Sequence, residues 1–145
     1  AGLAQDALDR GKAADTFGRM VALLGGPGDF IDKSADYLPK AEVELPVKSE
    51  RDGFVASIAT RDIGLAVVTL GGGRTRPEDS VDHAVGITRL LPVGAEVHAG
   101  EVLALVHARS KADAERAAAA IQAAYALGPV KPVAQKPVIR RIAPK

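Results

Sequence analysis

The chain has 145 residues, enough for a domain that buries roughly 68–70% of the surface its unfolded form exposes, so no disulfide or structural metal is needed to hold it. It is 47% apolar and 26% charged, with 19 basic residues against 18 acidic ones, and this balance excludes the electrostatic footprint of a nucleic-acid or anionic-membrane binder. It contains no Cys, no Trp and three Phe, which rules out disulfides, thiolate metal sites and Cys nucleophiles and leaves little surface for stacking unpaired bases.

Taken from the start, Ala4, Leu8, Ala13, Phe17, Met20, Val21 and Leu24 recur at helical spacing. Gly11 interrupts the pattern, so one short turn and then a firmer helix over about 12–24 are expected. Gly25-Gly26-Pro27 stops it, with Gly in a left-handed cap and Pro barring continuation. The chain opens at Ala1, without Met and inside a helical pattern that no capping residue precedes. The natural chain is therefore expected to extend further back. Nothing in the first ten residues resembles a signal peptide, and no apolar run approaches the roughly 18 residues of a membrane span. The lack of Cys agrees with a cytoplasmic protein. Residues 29–40 read as a loop or short helical turn, giving an N-terminal helix and linker over 1–40 and a separate domain over 41–145.

Alternation over 42–48 predicts a strand, Arg51-Asp52-Gly53 a turn, and 54–59 the second strand of a hairpin. Thr60 or Asp62 is placed to cap a helix reaching Leu70, although Ile63, Val67, Val68 and Thr69 make a strand the competing assignment. Gly71 to Gly73 close that element in either case. A polar stretch over 74–82 leads to a strand over 85–90, and 94–106 holds two tight turns around alternating apolar positions. Residues 111–127 form the clearest helix, with Ser110 as cap and Gly128-Pro129 as stop. A last strand is expected over 133–142. Its scattered basic residues (Lys131, Lys136, Arg140, Arg141, Lys145) read as a solvated strand and tail, since no aromatic interleaves them. The order is that of an α+β domain.

Few groups of residues carry chemistry. Gly71-Gly72-Gly73-Arg74 tempts as a phosphate cradle. Such a cradle needs its glycines before a helix N-terminus, and here they follow the helix at its negative end, so a cap-and-loop role is the plainer reading. His98 and His107 stand nine residues apart without a carboxylate cluster, unlike the tighter pairs of zinc sites, and no metal site is expected. Asp82-His83 would need a base and its orienter on one face, yet neighbours on a strand point oppositely. Glu78-Asp79 lie in a polar turn and are read as solubilising. No Gly-x-Ser-x-Gly occurs. The run from Gly94 to Val106 resembles the hairpin of biotinyl and lipoyl carrier domains. The carrier's exposed Lys beside Met is absent, because the single Met20 is followed by Val21. The likeness is therefore one of architecture. No catalytic residue and no cofactor-binding residue is visible.

Several stretches together are far more specific. Ala7 through Pro27, with its Asp-Arg-Gly-Lys and Leu-Leu-Gly-Gly-Pro segments, resembles the helix preceding the last domain of the thymidine phosphorylase type of pyrimidine-nucleoside phosphorylases. Gly64 through Arg74, then Val81-Asp82-His83, Val85-Gly86-Ile87-Thr88, the stretch from Gly94 to His107 and finally Arg140-Arg141-Ile142 continue the likeness in the family's order. It covers nearly the whole chain.

The resemblance implies a last domain folded as an α/β-hammerhead related to barrel-sandwich hybrids, and it favours helix over strand for 62–70. It implies a parent homodimer that cleaves pyrimidine nucleosides with inorganic phosphate as co-substrate, giving free base and a pentose 1-phosphate. The family's Lys-Thr-Asp phosphate segment and its Ser-Gly-Arg-Gly … Gly-Gly-Thr-x-Asp signature do not occur, so no residue inherits a catalytic role. The partner implied is the upstream catalytic region of the same polypeptide, with no nucleic acid or membrane involved. The loop Gly71, Gly72, Gly73, Arg74 and Arg76 is the segment expected to face the cleft. The competing readings are a free-standing barrel-sandwich-type binding module and the last domain of a nucleoside-monophosphate phosphorylase.

Overall fold

In the computed structural model the described residues are 2–134, 140 and 142, and they form two compact units, Ala1–Pro39 and Lys40–Lys145. The first unit carries three helices where one helix and a linker were expected: α1 (Gly2–Asp9), α2 (Lys12–Leu23) and α3 (Phe30–Tyr37). Gly11 separates the first two at φ +74°. The end of α2 follows the sequence signal closely. Gly25 is left-handed at φ +88°; its N–H donates to Ala22 O at 3.0 Å and that of Gly26 to Val21 O at 2.9 Å, the two bonds of a Schellman cap. The segment read as a loop or short helical turn holds the eight-residue α3, kinked at Lys33, and Asp29 at its N-terminal end is tied to its middle and its far end. Its carboxylate pairs with Lys33 at 2.9 Å and accepts the Tyr37 hydroxyl at 2.7 Å. Phe30 meets Phe17 edge-on at 6.2 Å and stacks on Tyr37 at 6.5 Å. Even so, no residue of the three helices is buried.

The second unit runs β1 (Val43–Lys48), β2 (Gly53–Ile58), α4 (Thr60–Val67) with a π-helical turn (Val68–Gly72), β3 (Gly86–Thr88), β4 (Glu96–Val97), β5 (Val102–Ala108), α5 (Lys111–Ala124) and β6 (Tyr125–Gly128). This is an α+β arrangement, with two three-stranded antiparallel sheets ordered β1-β5-β3 and β4-β2-β6. Val47, Ala104 and Val106 of the first sheet and Val55 and Val97 of the second belong to one buried cluster. Alternation sets this: in β1 Val43, Leu45 and Val47 turn inward while Glu44, Pro46 and Lys48 stay exposed. Helix α5 packs on β1, β5 and α4. It buries Ala114, Ala117, Ile121 and Ala124, a stripe at helical spacing whose small side chains admit a close approach.

Three expectations are corrected. β1 and β2 do not form a hairpin but lie in different sheets. The ladder shifts register between Val47 and Lys48, and Ser49 stays tied to the start of β5, donating to Glu101 O and accepting from Gly100 N, each at 2.8 Å. Gly53, at φ +155°, then leads the chain into the second sheet; a Cβ there would stand 2.9 Å from Gly128 O. The last helix ends at Ala124 rather than Leu127, because Tyr125–Gly128 pair with β2 and tertiary pairing overrides the helix preference of Ala and Leu. Neither Thr60 nor Asp62 caps α4: Ala59 is its N-cap and makes no side-chain bond, while the Thr60 hydroxyl turns back to Ile58 O at 3.4 Å.

Other expectations hold. α4 is helical despite its β-branched residues. Ser110 caps α5, accepting from Asp113 N at 3.1 Å. The tight turns at Gly94 and Gly100 are left-handed, at φ +87° and +86°. The expected strand over 85–90 narrows to Gly86–Thr88. The last expected strand, over 133–142, falls largely outside the described residues.

Candidate functional site

The loop from Gly71 to His83 grows out of the π-helical turn that ends α4. Gly71 reverses the chain at φ +97°, which only Gly adopts without strain. Gly72 and Gly73 are small for another reason: a Cβ would stand 2.9 Å from Val67 Cγ1 at the first and 2.7 Å from Val68 Cγ2 at the second. The glycines thus let the chain fold back against α4. They sit at the helix's carbonyl end, where Gly71 O accepts from Asp82 N at 2.9 Å and closes the neck of the loop.

Two aspartates hold the rest. Asp79 gathers the turn: its Oδ2 accepts the Thr75 hydroxyl at 2.6 Å, Thr75 N at 3.0 Å and Arg76 N at 2.8 Å. The Thr75 hydroxyl, then the amides of Arg76 and Thr75, hold its carboxyl below the usual carboxylate range. Read from sequence as solubilising, Asp79 is a fastener. Asp82 accepts from Ala84 N at 2.9 Å and from Arg109 Nε at 2.5 Å. The amide bond first and the guanidinium second keep it below its ordinary value. Asp82 is therefore engaged away from His83, which stays exposed, and the pair forms no base and orienter.

Arg74 and Arg76 are exposed, and among the described residues neither makes an ion pair. The loop therefore presents two guanidinium groups from a backbone fixed internally, an arrangement suited to meeting an anion brought from outside the domain.

The other histidines are kept apart. His98 lies at the turn after β4, 3.9 Å from Asp52. His107, central in the first sheet, has Nδ1 3.3 Å from Glu44 of β1 and Nε2 2.8 Å from the Thr88 hydroxyl of β3. This cross-strand chain escaped sequence reasoning, because only the register of three strands brings the residues together. No group of three or more metal-ligating side chains gathers among the described residues. A groove of about 250 Å³ separates α4 from α5, lined by Leu65, Ala66, Thr69, Leu70, Ala117 and Ala120 and rimmed by Asp62, Asp113 and Arg116. No helix among the described residues is long and apolar enough to cross a membrane.

The stretch from β2 to β6, with α4, the glycine-closed loop and α5, falls within a known domain. The family model for the pyrimidine nucleoside phosphorylase C-terminal domain matches residues 54–128, and the chain belongs to that family. Among curated proteins it is 65% identical over 142 residues to a thymidine phosphorylase of Mesorhizobium japonicum, an alignment covering 98% of this chain and 32% of that protein. Thymidine phosphorylases of Agrobacterium fabrum and Sinorhizobium fredii are 48% and 44% identical over 140 residues, covering 97% of this chain and 32% of each relative. The chain thus spans about a third of the length of the relatives it matches.

Proposed function

We propose that the chain is the C-terminal domain of a pentosyltransferase that converts thymidine and inorganic phosphate to thymine and 2-deoxyribose 1-phosphate. The observation carrying this reading is the 65% identity, across almost the whole chain, to a protein named thymidine phosphorylase. Alignment of 98% of the chain within a protein about three times as long favours a domain over a free-standing module. The described residues of 41–145 form an α/β-hammerhead related to barrel-sandwich hybrids, a reading supported by two small sheets that share one core with α4 and α5.

The upstream catalytic region of the same polypeptide performs the chemistry, by orienting the anionic phosphate and stabilising charge on the departing base. The chain by itself is inactive. It buttresses the phosphate-binding lobe and limits domain closure, with the loop of Gly71, Gly72, Gly73, Arg74 and Arg76 facing the cleft. Phosphate enters as co-substrate and no organic cofactor or metal takes part. The parent enzyme works as a cytoplasmic homodimer in nucleoside salvage.

Steady-state kinetics of the longer polypeptide test the loop. Arg74→Ala combined with Arg76→Ala is expected to raise the KM of phosphate or thymidine about tenfold while kcat changes less, as for lost uniform binding. Unchanged constants would remove the loop from the cleft. A longer polypeptide that cleaves no pyrimidine nucleoside would overturn the reaction itself.

A further inference from the structure

We propose that the face formed by Met20, Leu23 and Leu24 at the end of α2 is the seam by which the helical unit docks onto the part of its own polypeptide that lies outside these 145 residues. The proposal rests on the reading above, that this chain is part of a longer phosphorylase.

Helix α2 carries a row of apolar residues that α3 covers only in part. Phe17 meets Phe30 at 6.2 Å and Gly18 lets Ile31 approach so closely that a Cβ would stand 3.2 Å from its Cγ1, yet Phe17 is still 44% exposed. Toward the end of the helix the cover is lost: Met20 is 47% exposed, Leu23 88% and Leu24 81%, and with Thr16 and Arg19 these three line an open groove of about 470 Å³.

The helix is nonetheless well specified, with a left-handed Gly25 and both Schellman bonds at its end. Three helices of 8, 12 and 8 residues, none with a buried residue, cover one another only in part; helices this short draw most of their stability from burying an amphipathic face. The sequence therefore defines a helix whose cover lies elsewhere.

What covers it follows from two boundaries and a charge balance. The family model begins at residue 54, so residues 1–39 lie outside the C-terminal domain proper. Those residues nonetheless align within relatives of which this chain is only 32%, leaving about two-thirds of each relative as chain able to receive the face. Six acidic residues against four basic ones over 1–39 disfavour an anionic lipid surface. A second copy is disfavoured by size. Three side chains on one helix face supply well under the roughly 800 Å² per partner of a stable interface, whereas a tethered segment needs far less, because its partner is held at high effective concentration.

Hydrogen exchange followed by mass spectrometry tests the seam on the 145-residue chain and on the longer polypeptide. Amides of residues 16–24 should exchange rapidly in the chain and on the order of 100-fold more slowly in the longer polypeptide. Leu23→Glu with Leu24→Glu in the longer polypeptide should abolish that protection and leave β5 protected. Should that variant aggregate, Leu23→Ala with Leu24→Ala should still lower protection over 16–24 alone. Equal exchange in the two proteins would overturn the proposal, as would protection in the short chain that rises with its concentration, the mark of a second copy. The readout is independent of turnover: an inactive longer polypeptide with a protected α2 would defeat the assigned reaction and keep the seam.

Discussion

The two units make their helices by similar local means and end in different conditions. Helix α2 has a complete C-terminal cap and α5 a complete N-terminal one, so both are specified by residues next to them in sequence. Yet α5 buries Ala114, Ala117, Ile121 and Ala124 against the neighbouring β5 and against β1 and α4, which come from far along the chain, whereas α1, α2 and α3 have no buried residue. Caps and periodicity make a helix; a core requires a second surface, and in the second unit the sheets supply it.

The sharpest way to break this contrast is to cut both helices. Ile121→Ala removes a fully buried side chain and should cost about 2–5 kcal/mol in urea unfolding of the second unit. Leu23→Ala, at a side chain 88% exposed, should change the same transition by less than about 0.5 kcal/mol. Similar losses at the two positions would dissolve the distinction.

Smaller effects follow in order. Gly71→Ala places a Cβ at φ +97° and should cost about 1–2 kcal/mol, seen as a lower urea midpoint, with the steric space itself open. Ser110→Ala should cost about 1 kcal/mol in the same assay, since it deletes the one bond to Asp113 N. The least is a pH effect in the loop. Hydrogen bonds hold the Asp79 and Asp82 carboxyls below their ordinary range, so the folded pKa lies under the unfolded value of about 3.9. Their stabilisation is then present above that value and lost as pH falls through the folded one. Melting temperatures followed from pH 6 to pH 3 should fall less steeply in Asp79→Asn than in the parent sequence; an unchanged slope would mean that the turn does not depend on the charged carboxylate.

The same division decides what was legible in the sequence. The cap at Gly25, the turns at Gly94 and Gly100 and the Ser110 cap are contacts between near neighbours, and the residue types alone announce them. The alternation in β1 revealed a strand and its buried face. It did not reveal the partner, because β1 fits a turn at Arg51–Gly53 as readily as it fits β5; the register shift after Val47 and the Ser49 bonds to Gly100 and Glu101 decide. Residues 125–127 looked helical for the same reason, since the pairing of Tyr125–Gly128 with β2 is invisible locally.

At the candidate site the glycines were legible as a closure. The roles of Asp79 and Asp82 were not, as they depend on the path of the loop and, for Asp82, on Arg109 across 27 residues. The Glu44–His107–Thr88 chain needed the register of three strands before it existed at all.

In the proposed function this chain supports a phosphorolysis performed elsewhere in its polypeptide. Its most direct test is phosphate-dependent release of thymine from thymidine, measured for the 145-residue chain beside the longer protein. The account predicts a silent chain and an active longer protein. Phosphate-dependent turnover by the chain alone would contradict it, by showing a complete site among residues described here as scaffold.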